Sequence, residues 1–260
     1  MELDYLGHLE RDSARFAAAL WDADPQAPVP SCPEWTADDL LWHVGEVFLF
    51  WGTIVRERLA DPSAAEEAKP ERPGSRAALV DLFERSRTQL LETLRDTPPQ
   101  VAAWTWSTDN TTGFVRRRMA HEALIHRLDA ELTAGAVTNL DADLASDGVL
   151  EVLQHFHGYP DWADWALDGP VGRLRATDTG GGWLVQLGSF SGLSPNSGKT
   201  WDHEPSLELI GSGSPTFTLS ASARDLDAWL WGRPQLSEPV VDGDPTDHER
   251  LRAIVAAGID

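Results

Sequence analysis

The hydrophobic pattern of this chain changes period once, near Gly158-Tyr159-Pro160, and that change limits the folds open to it. Before it, apolar residues recur at the 3.6-residue spacing of amphipathic helices. After it, short alternating runs are separated by glycine-rich turns, the mark of strands and hairpins. Helices are expected over about 3–21, 36–58, 76–96 and 113–134, and four helices of such length read as a bundle. Thr36 suits the N-cap of the second, with Asp39 three residues on in the capping-box position. Pro28-Val29-Pro30-Ser31-Cys32-Pro33 separates the first two helices, because proline removes a donor and restricts its neighbour. Residues 60–75 and 100–113 are loops, and 135–141 is a linker. A further helix at about 142–157 precedes strands at 173–177, 183–187, 206–210 and 216–220. The first two strands flank a hairpin turn at Asp178-Thr179-Gly180-Gly181-Gly182, and helices at 223–232 and 246–257 close the chain. The expected fold class is α+β in two domains, a helical bundle over residues 1–140 and a small α+β domain over 141–260.

Two helical stretches carry the chemistry. In Leu40-Leu41-Trp42-His43-Val44, His43 lies on the apolar stripe formed with Leu40, Val44, Val47, Phe48 and Trp51. In Glu122-Ala123-Leu124-Ile125-His126, a carboxylate and an imidazole stand four residues apart, hence on one helix face. A single histidine on an apolar stripe is commonly a core histidine with its ring nitrogen satisfied. A Glu/His pair at this spacing can equally be a surface ion pair worth a few tenths of a kcal/mol. The stripe is shared with Met119, however, and an unpaired buried carboxylate is costly. A divalent metal held by His43, Glu122 and His126 satisfies all three groups and leaves one coordination position open. Zinc is the first candidate, with other first-row divalent ions also compatible. Asp129, three residues beyond His126, is placed to orient a ligand. His121 lies about 140° from His126 around the helix, so the stretch is not an HExxH zincin and His121 faces away from the metal.

Composition narrows the partners. The net charge of -21 argues against nucleic acid, whose phosphates need a concentrated positive field. No apolar run approaches a membrane span. The start, Met1-Glu2-Leu3-Asp4, lacks the basic and apolar regions of a signal peptide, so a cytoplasmic protein is expected. Cys32 is the single cysteine, which leaves no intramolecular disulfide and no CxxC metal site. Cys32 is read as structural rather than nucleophilic. Arg116, Arg117 and Arg118 are either solvated or supply, with Arg127, a contact to an anionic group. Trp104 and Trp106 either wall a pocket or pack.

Cys32-Pro33-Glu34-Trp35-Thr36, Asp39-Leu40, His43-Val44-Gly45, Glu122 to His126 and Asp129-Ala130-Glu131 together resemble the mycothiol-dependent maleylpyruvate isomerase family of DinB-like metalloenzymes. Leu226-Asp227-Ala228-Trp229-Leu230-Trp231-Gly232-Arg233 and Val241-Asp242-Gly243-Asp244 resemble its C-terminal domain, so the likeness runs over nearly the whole chain. It implies a DinB-like four-helix bundle with zinc on His43, Glu122 and His126. It implies mycothiol, a small thiol of actinobacteria, as cosubstrate, and an arginine of the C-terminal domain, carried here to Arg233, in catalysis. The family also contains thiol S-transferases. The first reading is therefore a zinc-dependent S-transferase that activates mycothiol or a similar thiol against a small electrophile. The second is a cis–trans isomerase of the maleylpyruvate type, and the third a non-catalytic metal-binding protein. The electrophile is not legible, and residues 190–204 and the loop at 100–113, which carry no pattern of the family, are where specificity is expected. A monomer or a homodimer is expected.

Overall fold

A computed structural model describes residues 3–158, 162–195 and 198–257. Tyr159 and Pro160, where the period changes, lie outside the described residues, as do Met1, Glu2, Asp161, Asn196, Ser197 and the last three positions. The chain divides into two compact units, Met1–Leu140 and Asp141–Asp260.

The first unit is built from helix α1 (Tyr5–Leu20), strands β1 (Pro28–Val29) and β2 (Cys32–Thr36), and helices α2 (Ala37–Glu57), α3 (Ser63–Glu67), α4 (Arg76–Asp96) and α5 (Thr112–Thr133). The four long helices are those the apolar periodicity predicts. α1 lies along α5 and α2 along α4, and Leu9, Phe16, Phe48, Phe83, Leu90 and Met119 are fully buried between them. Full burial of one such side chain stabilises the fold by about 1.5–3 kcal/mol, so this core dominates the unit's stability. The capping box forms as expected: the Asp39 carboxylate accepts from the Thr36 amide at 2.7 Å, and the Asp39 amide donates to Thr36 Oγ1 at 3.2 Å. The proline-rich break before α2 is more ordered than its composition suggests, because β1 and β2 pair antiparallel across it. The loop at 60–75 contains the single helical turns of α3.

The second unit comprises α6 (Ala142–His155), β3 (Asp164–Ala166), β4 (Val171–Ala176), β5 (Gly182–Leu193), β6 (Thr200–Ile210), β7 (Phe217–Ala221), α7 (Ala223–Leu230), β8 (Val240–Gly243) and α8 (Pro245–Ala256). β5 is central. It pairs antiparallel with β6 on one edge and with β4 and β3 on the other. β4 continues into β7 in parallel, and β8 closes the far edge antiparallel to β7. Residues 190–193 and 200–204 therefore lie in β5 and β6, which pair as far as Leu193 with Thr200. A register irregularity between Phe190 and Gly192 breaks the alternation by which a strand is recognised. β3 and β8 are additions of the same kind: every residue of β8 is exposed, so no buried face marks it in sequence.

The Trp-Gly-Arg segment has a backbone explanation. Gly232 follows the end of α7 with φ at 71°. Its amide bonds the Trp229 carbonyl, and the Arg233 amide bonds the Ala228 carbonyl. This is a Schellman motif, which requires a residue in the left-handed region, and glycine adopts that region without a Cβ clash. Among the described residues no helix is long and apolar enough to cross a membrane.

Candidate metal centre

α5 is buried on nearly every side, including Arg118, His121, His126, Arg127, Asp129 and Glu131. Each polar group of a helix so placed must find a partner inside the protein. α2 is amphipathic. Its buried positions Leu40, Val44 and Phe48 anchor it and bring His43 to the rim, where the side chain is 29% exposed.

His43, Glu122 and His126 converge, with one potential ligand atom from each lying within 4.8 Å of the others. Glu122 Oε1 is 3.1 Å from His126 Nε2 and 3.5 Å from His43 Nε2. The far side of each donor has its own partner. His126 Nδ1 meets Asp129 Oδ2 at 2.9 Å, and Asp129 Oδ1 accepts from the Ser31 hydroxyl in the β1–β2 turn. Glu46 Oε1 stands 3.9 Å from His43 Nδ1. Arg118 Nη2 donates to Glu122 Oε2 at 2.7 Å. The Trp35 indole of β2 stacks beside both imidazoles, with ring centroids 4.7 Å from His43 and 6.4 Å from His126.

The electrostatics follow from this packing. Burial disfavours the charged form of His126, but Glu122 and Asp129 outweigh it and raise its pKa to about 9. Burial pushes the Glu122 carboxyl up, and His126, His43 and Arg118 together reverse that and hold it well below the usual carboxylate range. Two imidazole nitrogens and one carboxylate oxygen form a donor set found in hydrolytic zinc sites. An imidazole whose second nitrogen is held by a carboxylate is the usual outer arrangement around such a metal. The residues present fit a divalent ion of the zinc class.

Other candidate residues fall elsewhere. His121 is buried beside the Tyr5 ring, with centroids 6.3 Å apart, and takes no part in the cluster. Arg127 is not available to an anionic ligand. It is buried and bonds Asp12 at 2.6 Å and Glu131 at 2.9 Å. Arg116 caps the end of α4 through the carbonyls of Leu94 and Thr97. Trp104 packs, stacked on Trp51 at 6.1 Å, while Trp106 is 44% exposed with its edge on Phe114. Arg233, in the second unit, donates to the Trp231 carbonyl at 2.6 Å and lines a surface cavity of about 340 Å³ with Trp229, Gln235 and Arg252. Sequence reasoning offered Arg118 only solvation or an anionic ligand, and gave Glu46, Trp35 and Ser31 no role at this site. Arg118 had a signal, since Arg118, Glu122 and His126 form one i, i+4, i+8 row. Ser31 had none, because 98 residues separate it from Asp129.

Two family models match the chain: the mycothiol maleylpyruvate isomerase N-terminal domain over residues 6–131 and the C-terminal domain of the same proteins over 143–250. A crystal structure of the mycothiol-dependent maleylpyruvate isomerase is similar over 93% of both chains, at 15% identity and a TM-score of 0.56. A histidine-to-alanine mutant of that isomerase is similar over the same shares, at 14% identity and a TM-score of 0.59. At these identities the likeness speaks for the fold. A search of curated proteins finds no match. With both family domains matched in order along one chain, the protein belongs to the mycothiol-dependent maleylpyruvate isomerase family, a family of enzymes.

Proposed function

We propose that this protein is a metal-dependent isomerase that uses mycothiol to interconvert cis and trans forms of a small electrophilic acid, with His43, Glu122 and His126 holding the metal. The observation that carries the reading is the convergence of three lone-pair donors, two of them hydrogen-bonded from behind, in a chain with both family domains. A divalent ion bound there would lower the pKa of a thiol sharing its coordination, so that thiolate is present at neutral pH.

The chain's residues have separate tasks. Asp129 accepts the proton of His126 Nδ1, which directs the Nε2 lone pair at the metal position. Glu122 supplies negative charge to the ion through Oε1. Trp35 walls the imidazoles on one side and limits water around them. On the substrate, addition of a thiolate carbon–sulfur bond converts the double bond to a single bond, and a proton neutralises the carbanion. Rotation and loss of the same thiol and proton then give the other isomer, so the thiol is regenerated. Arg233 is assigned to the substrate carboxylate, a role suited to a guanidinium fork. The metal would be carried by the bundle, residues 1–140.

An S-transferase would use the same thiol and metal and differ only in keeping the sulfur on the product. The family match favours the isomerase, and the S-transferase is its alternative. The deciding experiment incubates the zinc-loaded protein with maleylpyruvate, with and without mycothiol. Thiol-dependent isomerisation without thiol consumption is expected. Stoichiometric loss of thiol would identify a transferase, and an absence of turnover with either thiol or other electrophiles would overturn the enzyme assignment at this site.

A further inference from the structure

We infer that Arg118 is a positioning residue for the metal centre: it holds Glu122 Oε2 so that the carboxylate presents Oε1 alone toward His43 and His126. This rests on the reading that those three residues bind a divalent ion. A carboxylate can bind a metal through one oxygen or both, and the choice decides how many positions remain for other ligands. In this structure the two oxygens of Glu122 face different groups. Oε1 lies 3.1 and 3.5 Å from the two imidazole Nε2 atoms, and Oε2 lies 2.7 Å from Arg118 Nη2.

Arg118 is suited to that task in three ways. Its side chain is only 3% exposed, so the guanidinium is committed to the interior rather than waving in solvent. It lies one helical turn before Glu122 on the same row of α5, so the backbone fixes its distance from the carboxylate. Its planar fork offers donors in a rigid geometry, where a lysine offers a single mobile ammonium. The carboxylate is thereby fixed from behind, as His126 is fixed by Asp129. All three donors have an outer partner, and the one on Glu122 is cationic. That cation also opposes a second Glu122 oxygen turning to the metal, because the turn would break a charge-assisted hydrogen bond in the interior.

The test uses Co²⁺ as a visible probe in the full-length protein. Wild type is loaded with Co²⁺, its affinity measured by competition with a chelator, and its visible absorption recorded before and after addition of mycothiol. His126→Ala serves to show that the signal comes from this site. In Arg118→Met the Co²⁺ affinity is expected to fall by about 10- to 100-fold, the usual effect of losing an outer partner. The visible bands should weaken and shift as the second oxygen joins, and the mycothiol-induced change should shrink. Arg118→Lys should restore part of both. Arg127→Met, a buried arginine of the same helix pointing away from the cluster, should lose thermal stability and keep the wild-type cobalt spectrum. A folded Arg118→Met protein with wild-type affinity and spectrum would overturn the inference, as would one altered only in substrate KM, which would make Arg118 a substrate contact. Wild type that binds no Co²⁺, or binds it equally after His126→Ala, would instead overturn the metal reading beneath it.

Discussion

His126 and Arg127 are consecutive, both buried, and belong to two side-chain clusters of opposite character. Arg127 donates to Asp12 Oδ1 at 2.6 Å, to Glu131 Oε1 at 2.9 Å and to the Asn139 carbonyl at 3.0 Å. Glu131 Oε2 takes the Thr138 amide at 2.7 Å, which ties the end of α5 to the segment that follows it. Each guanidinium nitrogen of Arg127 finds an acceptor there, and of the carboxylate oxygens only Asp12 Oδ2 is left without a hydrogen bond among the described residues. On the other row, Glu122 Oε1 faces two imidazole nitrogens. With both rings neutral these are three acceptors pointed at one another, and only protons or a cation can join them. Both clusters contain a carboxylate at i,i+4 from a basic group, so the spacing alone does not distinguish a binding site from a structural brace. The surplus of acceptors does.

The comparison breaks most visibly if one donor of the acceptor-rich cluster is removed. His43→Ala should lose stoichiometric metal and all thiol-dependent turnover while its circular dichroism and melting stay near wild type, since His43 sits at the rim and the core beneath it is unchanged. Metal analysis after zinc reconstitution, paired with an isomerisation assay, reads this directly. Retained activity in a folded, metal-free protein would refute the mechanism. The braced cluster should behave in the opposite way. Arg127→Met strands Asp12 in the interior and takes one of the partners of Glu131, and it should cost about 3–5 kcal/mol in denaturant unfolding, with zinc stoichiometry unaltered. A smaller effect is expected one step out from the metal. Asp129→Asn keeps the size of the side chain but weakens its hold on His126, and zinc affinity should fall by about 10- to 100-fold. An unchanged affinity would detach Asp129 from the site.

Two buried imidazoles extend the contrast to pH. His126 faces two carboxylates and titrates near pH 9 without metal. His157, in the second unit, is pushed below the ordinary value of 6.5 by burial, and its bond to the Leu230 carbonyl only partly offsets this. A histidine with a lowered folded pKa binds fewer protons folded than unfolded. Its contribution to stability is therefore full above about pH 6.5 and is lost as the pH falls from there through the folded pKa. Proton NMR of the metal-free protein should show His126 titrating well above 7 and His157 below 6.5. A His157 resonance titrating above 6.5 would contradict the burial argument.

The fold was largely readable because its elements obey local rules. The periodic leucines of α4, the Thr36–Asp39 box and the glycine turn between β4 and β5 each specify their structure within a few residues. The donor triad was readable for a related reason: Glu122 and His126 share a turn, and His43 lies on a clear stripe. What escaped was decided at long range or at an edge. Ser31 reaches Asp129 only because β1 and β2 pair. β8 has no buried face, and the far end of β5 is masked by its irregular register. Arg127 looked like a spare cation because Asp12 is remote in sequence. The order of preference between transferase and isomerase came from the family comparison, since one site serves both.

The smallest expected effect belongs to Cys32→Ser, and it bears on whose sulfur reacts. Cys32 opens β2, next to Ser31 and opposite Val29, and is half-buried against the core of the first unit. The substitution changes one atom, keeps the volume nearly constant and leaves the Ser31–Asp129 bond in place, so stability should shift by only about 0.5 kcal/mol. If mycothiol supplies the attacking sulfur, the protein needs no thiol of its own, and turnover with mycothiol should match wild type. The measurement is the isomerisation rate at saturating mycothiol, with zinc content and thermal melting as controls. A folded, zinc-loaded and inactive Cys32→Ser protein would mean that the sulfur is carried by the chain. In that case the acceptor-rich cluster would still bind metal, but it would be activating a group of the protein, and the external-thiol assignment would have to be abandoned.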